Sequence, residues 1–335
     1  MKTKWSYCLF LFVFCGFFML TACEEGIRIS EQILIQGVGI DCTDGVYTAT
    51  LHAAKIDEGE EKDIQILQAS GESAFDALTN VTMTDGREPM FSHNMIIVFG
   101  RECAERGLND VLDFFVRYHE TRPEVNVFVS ESTAEQVLQV KNGDTYVTSR
   151  QIQELAGASS LNGKTVDVKV MNLVNQLTDP GVAAYLPMLK AEKETVRTTG
   201  TAIFSGDKMV DILGDTETRG FLFAVGKLQG GTEVVDTHHS GNTTLSIWKS
   251  SSKIEAGLEG GNPVFKIEIS CGADTVSYTH LIHPGKDQLL YCSFQYVLPQ
   301  RILSLKPNGN IARNLQYPLR SPNCYSRNMY CGQSG

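Results

Sequence analysis

The sequence predicts a mixed fold of sheets with packed helices, in more than one domain. Three observations point there. Strand-like and helix-like segments alternate through the first 195 residues, hairpins dominate beyond them, and about 310 residues follow an N-terminal export signal, enough for two or three domains.

The export signal comes first. Lys2 and Lys4 precede an uncharged apolar run from Trp5 to Leu20. At about 1.5 Å per residue that run spans roughly 24 Å, short of a bilayer's roughly 30 Å hydrocarbon core. Leu20-Thr21-Ala22-Cys23 then gives a branched apolar residue, two small ones and a cysteine, the order of a bacterial lipobox. Small side chains let a signal peptidase reach the backbone, and the thiol is the nucleophile that takes a diacylglyceryl group. The mature chain is expected to begin at a lipidated Cys23, after a signal peptide of residues 1–22, on the outer face of a cytoplasmic membrane. Acyl chains anchor at about 0.8 kcal/mol per buried CH2.

From Cys23 to Thr275 the chain carries 38 acidic residues against 21 basic ones. Such a body lacks the basic surface that phosphate contacts require, so nucleic acid is excluded as a partner. Of nine cysteines, Cys8 and Cys15 leave with the signal and Cys42 and Cys103 lie in apolar contexts that predict buried thiols. Cys271, Cys292, Cys324 and Cys331 could pair in three ways.

Taken in order, Ile33 to Ile40 and Val46 to Ala54 predict strands around an Asp41 to Gly45 turn, the second alternating Tyr47, Ala49 and Leu51 with Thr48, Thr50 and His52. Lys55 to Asp63 reads as a charged loop, Ser73 to Val81 as a helix and Met95 to Phe99 as a buried strand. Leu108, Val111, Leu112 and Phe115 fall at helical spacing, with Asn109 and Asp110 at the positive end; Pro123 is expected to stop that helix. Val125 to Val129 is a strand, and Ser132-Thr133-Ala134-Glu135 a capping box opening a helix to Val140. Val166 to Leu177 completes the helices of the first part.

Beyond Glu194, Thr198 to Phe204 and Lys208 to Leu213 form a hairpin about Ser205-Gly206-Asp207. A helix at Glu217 to Gly226, a strand at Glu233 to Asp236 and a polar connector to Thr244 follow. Leu245 to Ile254 and Val264 to Ser270 make a second hairpin. The last 60 residues hold half of the ten prolines and no Glu, and show no helical period.

No motif predicts catalysis. Gly37-Val38-Gly39 lacks a third glycine and a following helix, which argues against a dinucleotide site. His238-His239 and His280 with His283 lack companion ligands, so no metal or other cofactor is expected. The cluster Arg117, His119, Glu120, Arg122 follows the strong helix and could bind an anion or complement the helix's C-terminal dipole.

The run "NMIIVFGRECAERGLNDVLDFFVRYHETRPEVNVFVSESTAEQVLQV", Asn94 to Val140, resembles the core motif of the Ger(x)C family, the lipoprotein C subunits of spore germinant receptors. "GTAIFSGDKMVDILGDTETRGFLFAVGKLQGG", Gly200 to Gly231, is similar to the family's hairpin followed by its "ETRG" and "GK..GG" elements, and "ILIQGVGID", Ile33 to Asp41, to the segment behind the lipid cysteine. Glu24-Glu25 replaces the family's usual Trp, and the helix-rich third domain of the family finds no counterpart after about Asp274.

The resemblance implies an α+β, multi-domain fold, each domain a sheet with packed helices. Boundaries are expected at 23–195, 196–244 and 245–335, the last a partial third domain with an irregular tail, read as non-native sequence, from about 275. It also implies a non-enzymatic subunit of a nutrient germinant receptor. Cys23 would anchor it in the spore inner membrane beside polytopic A and B subunits, with Arg117, Glu120 and Arg122 as partner contacts. Binding of the germinant by this subunit is not implied. The rivals are a solute-binding lipoprotein of a transporter, which needs two lobes and an aromatic-lined cleft, and a lipid-anchored hydrolase.

Overall fold

The computed structural model describes residues 32–57, 60–118, 120–237, 241–259, 262–278 and 290–298. The lipobox with Cys23, His119, His238, His239, His280, His283, Cys324 and Cys331 lie outside them.

The architecture is α+β. The first strand, β1 (Gln32–Thr43), turns at Asp44-Gly45, both with positive φ, into the antiparallel β2 (Val46–Asp57), which pairs with β3 (Glu60–Gly71). The expected loop at 55–63 is therefore a hairpin. Its charges hid a strand whose buried apolar residues, Ile64 and Leu67, come only after them.

On its other side β1 meets parallel neighbours: β4 (Glu88–Met90) at its start, then β5 (Ile96–Phe99), β6 (Asn126–Ser130) and β9 (Tyr185–Ala191) in succession. The hairpin β10 (Val196–Ser205) and β11 (Lys208–Leu213) completes this sheet antiparallel to β9, after a small hairpin β7 (Lys141–Asn142) and β8 (Thr145–Tyr146) outside it. The sheet thus runs through the expected division at 195/196.

Helices cover both faces, as parallel strands require. All of β5 is buried: Ile97 and Phe99 point to one apolar cluster, Ile96 and Val98 to the other. Against the larger cluster lie α1 (Ala74–Asn80), α3 (Arg101–Arg106), α4 (Asn109–Arg117) and α7 (Val170–Thr178), while the short α2 (Thr82–Asp85) follows α1. Against the smaller lie α5 (Ala134–Leu138) and α6 (Ser149–Asn162). In α4 the predicted stripe Val111, Leu112 and Phe115 is buried, each side chain contributing about 1.5–3 kcal/mol. The helix stops at Arg117, ahead of Pro123, because Tyr118 is already extended.

The longest helix among the described residues, α6, carries little amphipathic signal; Thr148 with Gln151 forms its capping box and Gly163, at φ 62°, ends it. The helix expected from Val166 starts instead at Val170, since Val168 offers its carbonyl to Val127 N–H and extends the backbone there.

A second sheet follows α8 (Asp215–Ala224): β12 (Thr232–Thr237), β13 (Gly241–Glu259), β14 (Asn262–Tyr278) and β15 (Leu290–Leu298), all antiparallel. Leu245, Ile247, Cys271 and Ala273 join it to the larger cluster. The tail is thus not wholly irregular: β15 pairs in register with β14, placing Cys292 opposite Cys271.

Candidate functional site

Gly37 and Gly39 on β1 are spaces rather than a phosphate cradle. A Cβ on Gly37 would collide with Ser149 Oγ, and one on Gly39 would lie 2.8 Å from Leu138 Cδ1 and 3.0 Å from Ala134 Cβ. Both glycines let α5 and α6 press onto the sheet. Two residues on, the Asp41 carboxylate accepts hydrogen bonds from the N–H groups of Ala134 (2.8 Å) and Glu135 (2.9 Å), capping α5 from a distant strand. Burial raises its pKa above the usual carboxylate value, against the pull of the two N–H donors. The local cap is Thr133, one residue beyond the expected Ser132, and accepts from Gln136 N–H at 3.2 Å.

Behind the same glycines sits His52, fully buried, with Nδ1 2.8 Å from Ser149 Oγ and Nε2 2.7 Å from the Leu138 carbonyl. The carbonyl can only accept, so Nε2 carries the proton and Nδ1 accepts from the serine hydroxyl. Burial lowers its pKa to about 4. Both His52 and Ser149 are wholly enclosed, and the pair is a structural link between β2 and α6.

The second block of the sequence ties itself to the first. Asp207, in the β10–β11 turn, accepts from Asn109 N–H through its carboxylate (3.3 Å) and from Leu108 N–H through its carbonyl (3.0 Å), so the hairpin caps α4. From α8, Arg219 donates to the carbonyls of Thr232 (2.8 Å) and Asn162 (3.3 Å) and pairs with Glu233 at 3.1 Å. Lys227 Nζ donates to Tyr185 Oη at 2.7 Å. Gly230 and Gly231 abut the carbonyls of the last turn of α6.

The expected contact residues end up with different roles. Arg117 is exposed and paired along its helix with Asp113 at 2.5 Å, and Arg122 is exposed with no side-chain partner among the described residues. Glu120 turns inward instead: its Oε2 accepts from Phe91 N–H at 2.9 Å, fixing the turn to the 3-10 segment Phe91–His93.

Beside that turn lies an apolar groove of about 90 Å3, lined by Phe75, Leu78, Pro89, Phe91, Phe114 and Tyr118. Phe114 stacks on Tyr118 at 4.9 Å and meets Phe91 edge-on at 5.5 Å. Phe75, Met83 and Val116 are more than half exposed on α1, α2 and α4. Sequence reading reached the turn but not the groove, because Phe75 and Phe91 are far apart in the chain and only the α1–α4 packing gathers them.

Among the described residues no group of His, Cys, Asp and Glu is placed to hold a metal ion, and no helix is long and apolar enough to cross a membrane.

Comparison with known proteins agrees with the motif reading. The model of the spore germination protein N-terminal domain matches residues 26–191, and that of the spore germination B3/GerAC-like C-terminal domain residues 199–290. The chain is 24% identical to spore germination protein B3 of Bacillus subtilis, over 76% of this chain and 71% of that protein. It is 21% identical to spore germination protein GerQC of Bacillus cereus, over 82% and 76% respectively. The crystal structure of the GerBC protein aligns with 74% of this chain and 73% of that one, at 20% identity and a TM-score of 0.41. With both matched domains in order along its length, this chain belongs to the Ger(x)C family of spore germination proteins.

Proposed function

We propose that this protein is a lipid-anchored, non-catalytic subunit of a nutrient germinant receptor. It is held by Cys23 on the outer face of the spore inner membrane, beside polytopic A and B subunits. One observation carries the reading: the two family matches follow each other over residues 26–290, directly behind the lipobox Leu20-Thr21-Ala22-Cys23. The described body supports it, since its motif residues are spent on packing and capping, which suits a scaffold. Arg117 and Arg122, both exposed, remain the partner contacts; Glu120 acts by holding their turn. The groove beside α4, about 90 Å3, falls well short of the roughly 300 Å3 at which small-molecule sites begin, so it is not itself the cleft a solute-binding lipoprotein would need.

The test is germination of spores lacking the gene, complemented with the wild type or Cys23→Ala. The wild type should restore the nutrient response and Cys23→Ala should lose most of it, with the protein released from membranes. An unimpaired, membrane-bound Cys23→Ala protein would remove the anchor. A nutrient response unaffected by deletion would remove the receptor role.

A further inference from the structure

The small hairpin outside the main sheet carries an asparagine followed by a glycine. Strand β7 ends on Asn142, Gly143 and Asp144 make the two-residue loop, and Lys141 and Asn142 pair with Tyr146 and Thr145 of β8. Gly143 has φ 63° and Asp144 does not share the positive sign, as in a type II′ turn with glycine at its first central position. Asn142 and Gly143 are both exposed. Among the described residues neither the side-chain amide of Asn142 nor the N–H of Gly143 has a hydrogen-bond partner.

The same dipeptide occurs at the end of α6 and is locked there. Gly163 is buried and its N–H donates to the Ser159 carbonyl at 3.1 Å. The Asn162 side chain accepts from Lys164 N–H at 2.9 Å, and its carbonyl accepts from Arg219 at 3.3 Å. The contrast matters because glycine, lacking a Cβ, leaves its nitrogen open to attack the preceding side-chain amide. In that step the glycine nitrogen bonds to the asparagine Cγ, the Cγ–Nδ2 bond breaks, and ammonia leaves with the proton of the N–H. Water then opens the cyclic imide at either carbonyl, to aspartate or to isoaspartate, with no change of oxidation state. Ring closure needs the backbone of the pair to rotate out of its ladder or helix. The β7–β8 ladder is two residue pairs with the Val147 N–H to Val140 carbonyl bond at 2.9 Å beyond them, whereas Asn162 closes a helix of 14 residues.

We propose that Asn142 is a site of spontaneous deamidation and isomerisation, selected over Asn162 by the fold, and that its isoaspartyl product unlocks the β7–β8 hairpin. The reaction puts a carboxylate two residues from Asp144 where a neutral amide stood. Isoaspartate also adds a methylene to the main chain, inside a short ladder whose register the two-residue loop fixes. Thr148, the N-cap of α6, lies two residues past β8, so the loosened segment abuts the start of that helix. The chemistry needs only water and time and does not depend on the receptor reading. A protein kept in a dormant spore without replacement would accumulate it.

The test follows the full-length folded chain through incubation in warm, mildly alkaline buffer. A Glu-specific protease then releases residues 136–154 and 155–192 as separate peptides, so one digest reports both Asn-Gly pairs under identical handling. Fragmentation in the mass spectrometer localises each conversion, and labelling by an isoaspartyl carboxyl methyltransferase marks the isomerised fraction. Asn142 should convert roughly tenfold or more faster than Asn162 in the folded chain, and the two rates should converge in guanidinium chloride. Hydrogen exchange over residues 140–147 should quicken in the aged chain and stay unchanged in an aged Asn142→Gln chain. Equal conversion of the two pairs in the folded chain, no conversion at Asn142, or a preference that persists in denaturant overturns the site. Unchanged exchange in a chain carrying isoaspartate at position 142 overturns the unlocking.

Discussion

The carboxylate of Asp41 fills the space that a side chain on Gly100 would need: a Cβ there would strike Asp41 Oδ1. The same oxygen accepts from Ala134 N–H at 2.8 Å, so three distant motifs meet at one carboxylate. Replacing Asp41 with Ala should cost about 1–3 kcal/mol, because two helix N–H groups lose their acceptor. Gly100→Ala should be destabilising alone and markedly less so beside Asp41→Ala. A double-mutant cycle by urea unfolding measures the difference; strict additivity would deny the contact.

Gly37→Ala and Gly39→Ala should each cost about 1–3 kcal/mol through overpacking against α6 and α5. Since the obstacle to Gly37→Ala is Ser149 Oγ, adding Ser149→Gly should return part of that loss while leaving Gly39→Ala unhelped. Thermal unfolding of the four variants decides it.

His52 makes stability fall in mild acid. Its folded pKa, about 4, lies below the ordinary 6.5, so between those values the unfolded chain binds the extra proton. Its contribution is complete above pH 6.5 and drains away toward pH 4, by at most about 3 kcal/mol. Asp41, whose pKa is raised in the folded state, acts in the opposite sense, adding stability as pH falls through its raised value. Unfolding free energies from pH 7 to pH 4.5 should decline in the wild type and decline less in His52→Gln.

Arg219→Lys should cost about 1–3 kcal/mol despite keeping the charge, because one ammonium cannot replace a fork reaching Thr232, Glu233 and Asn162 together. Chemical denaturation of both proteins at equal ionic strength would show it.

Arg117→Glu with Arg122→Glu should lower the folded body's stability only slightly, through the lost Asp113 pair and the helix dipole, both side chains being exposed. Co-purification of the A and B subunits should fall several-fold. Unchanged co-purification would acquit this turn of partner contact.

Much of the fold was readable where one residue type dominates one period. The stripe of α4, the fully apolar β5 and the β10–β11 turn each declare themselves locally. What escaped depends on tertiary neighbours. The helix α6 has a weak stripe because the residues it buries, Ser149, Ile152 and Ala156, are mostly small or polar, and β3 opens with charges because its hairpin lies at the end of the sheet order. Glu120 looked like a surface contact, yet its partner is the backbone of Phe91, which no local pattern announces. The same holds for Asp41, read as a turn residue until α5 is brought to it.

The pairing of β9 with β10 also decides how the protein can be dissected. The two family matches leave residues 192–198 between them, inviting a cut at that turn. Such a cut would strip β9 of its antiparallel neighbour and bare a strand containing Leu186, Met188 and Leu189, a sticky template for aggregation. A fragment ending after Leu213 keeps the β9–β10–β11 ladder whole, and one ending after Leu228 also keeps the α8 contacts of Thr218 with Thr201 and Lys227 with Tyr185.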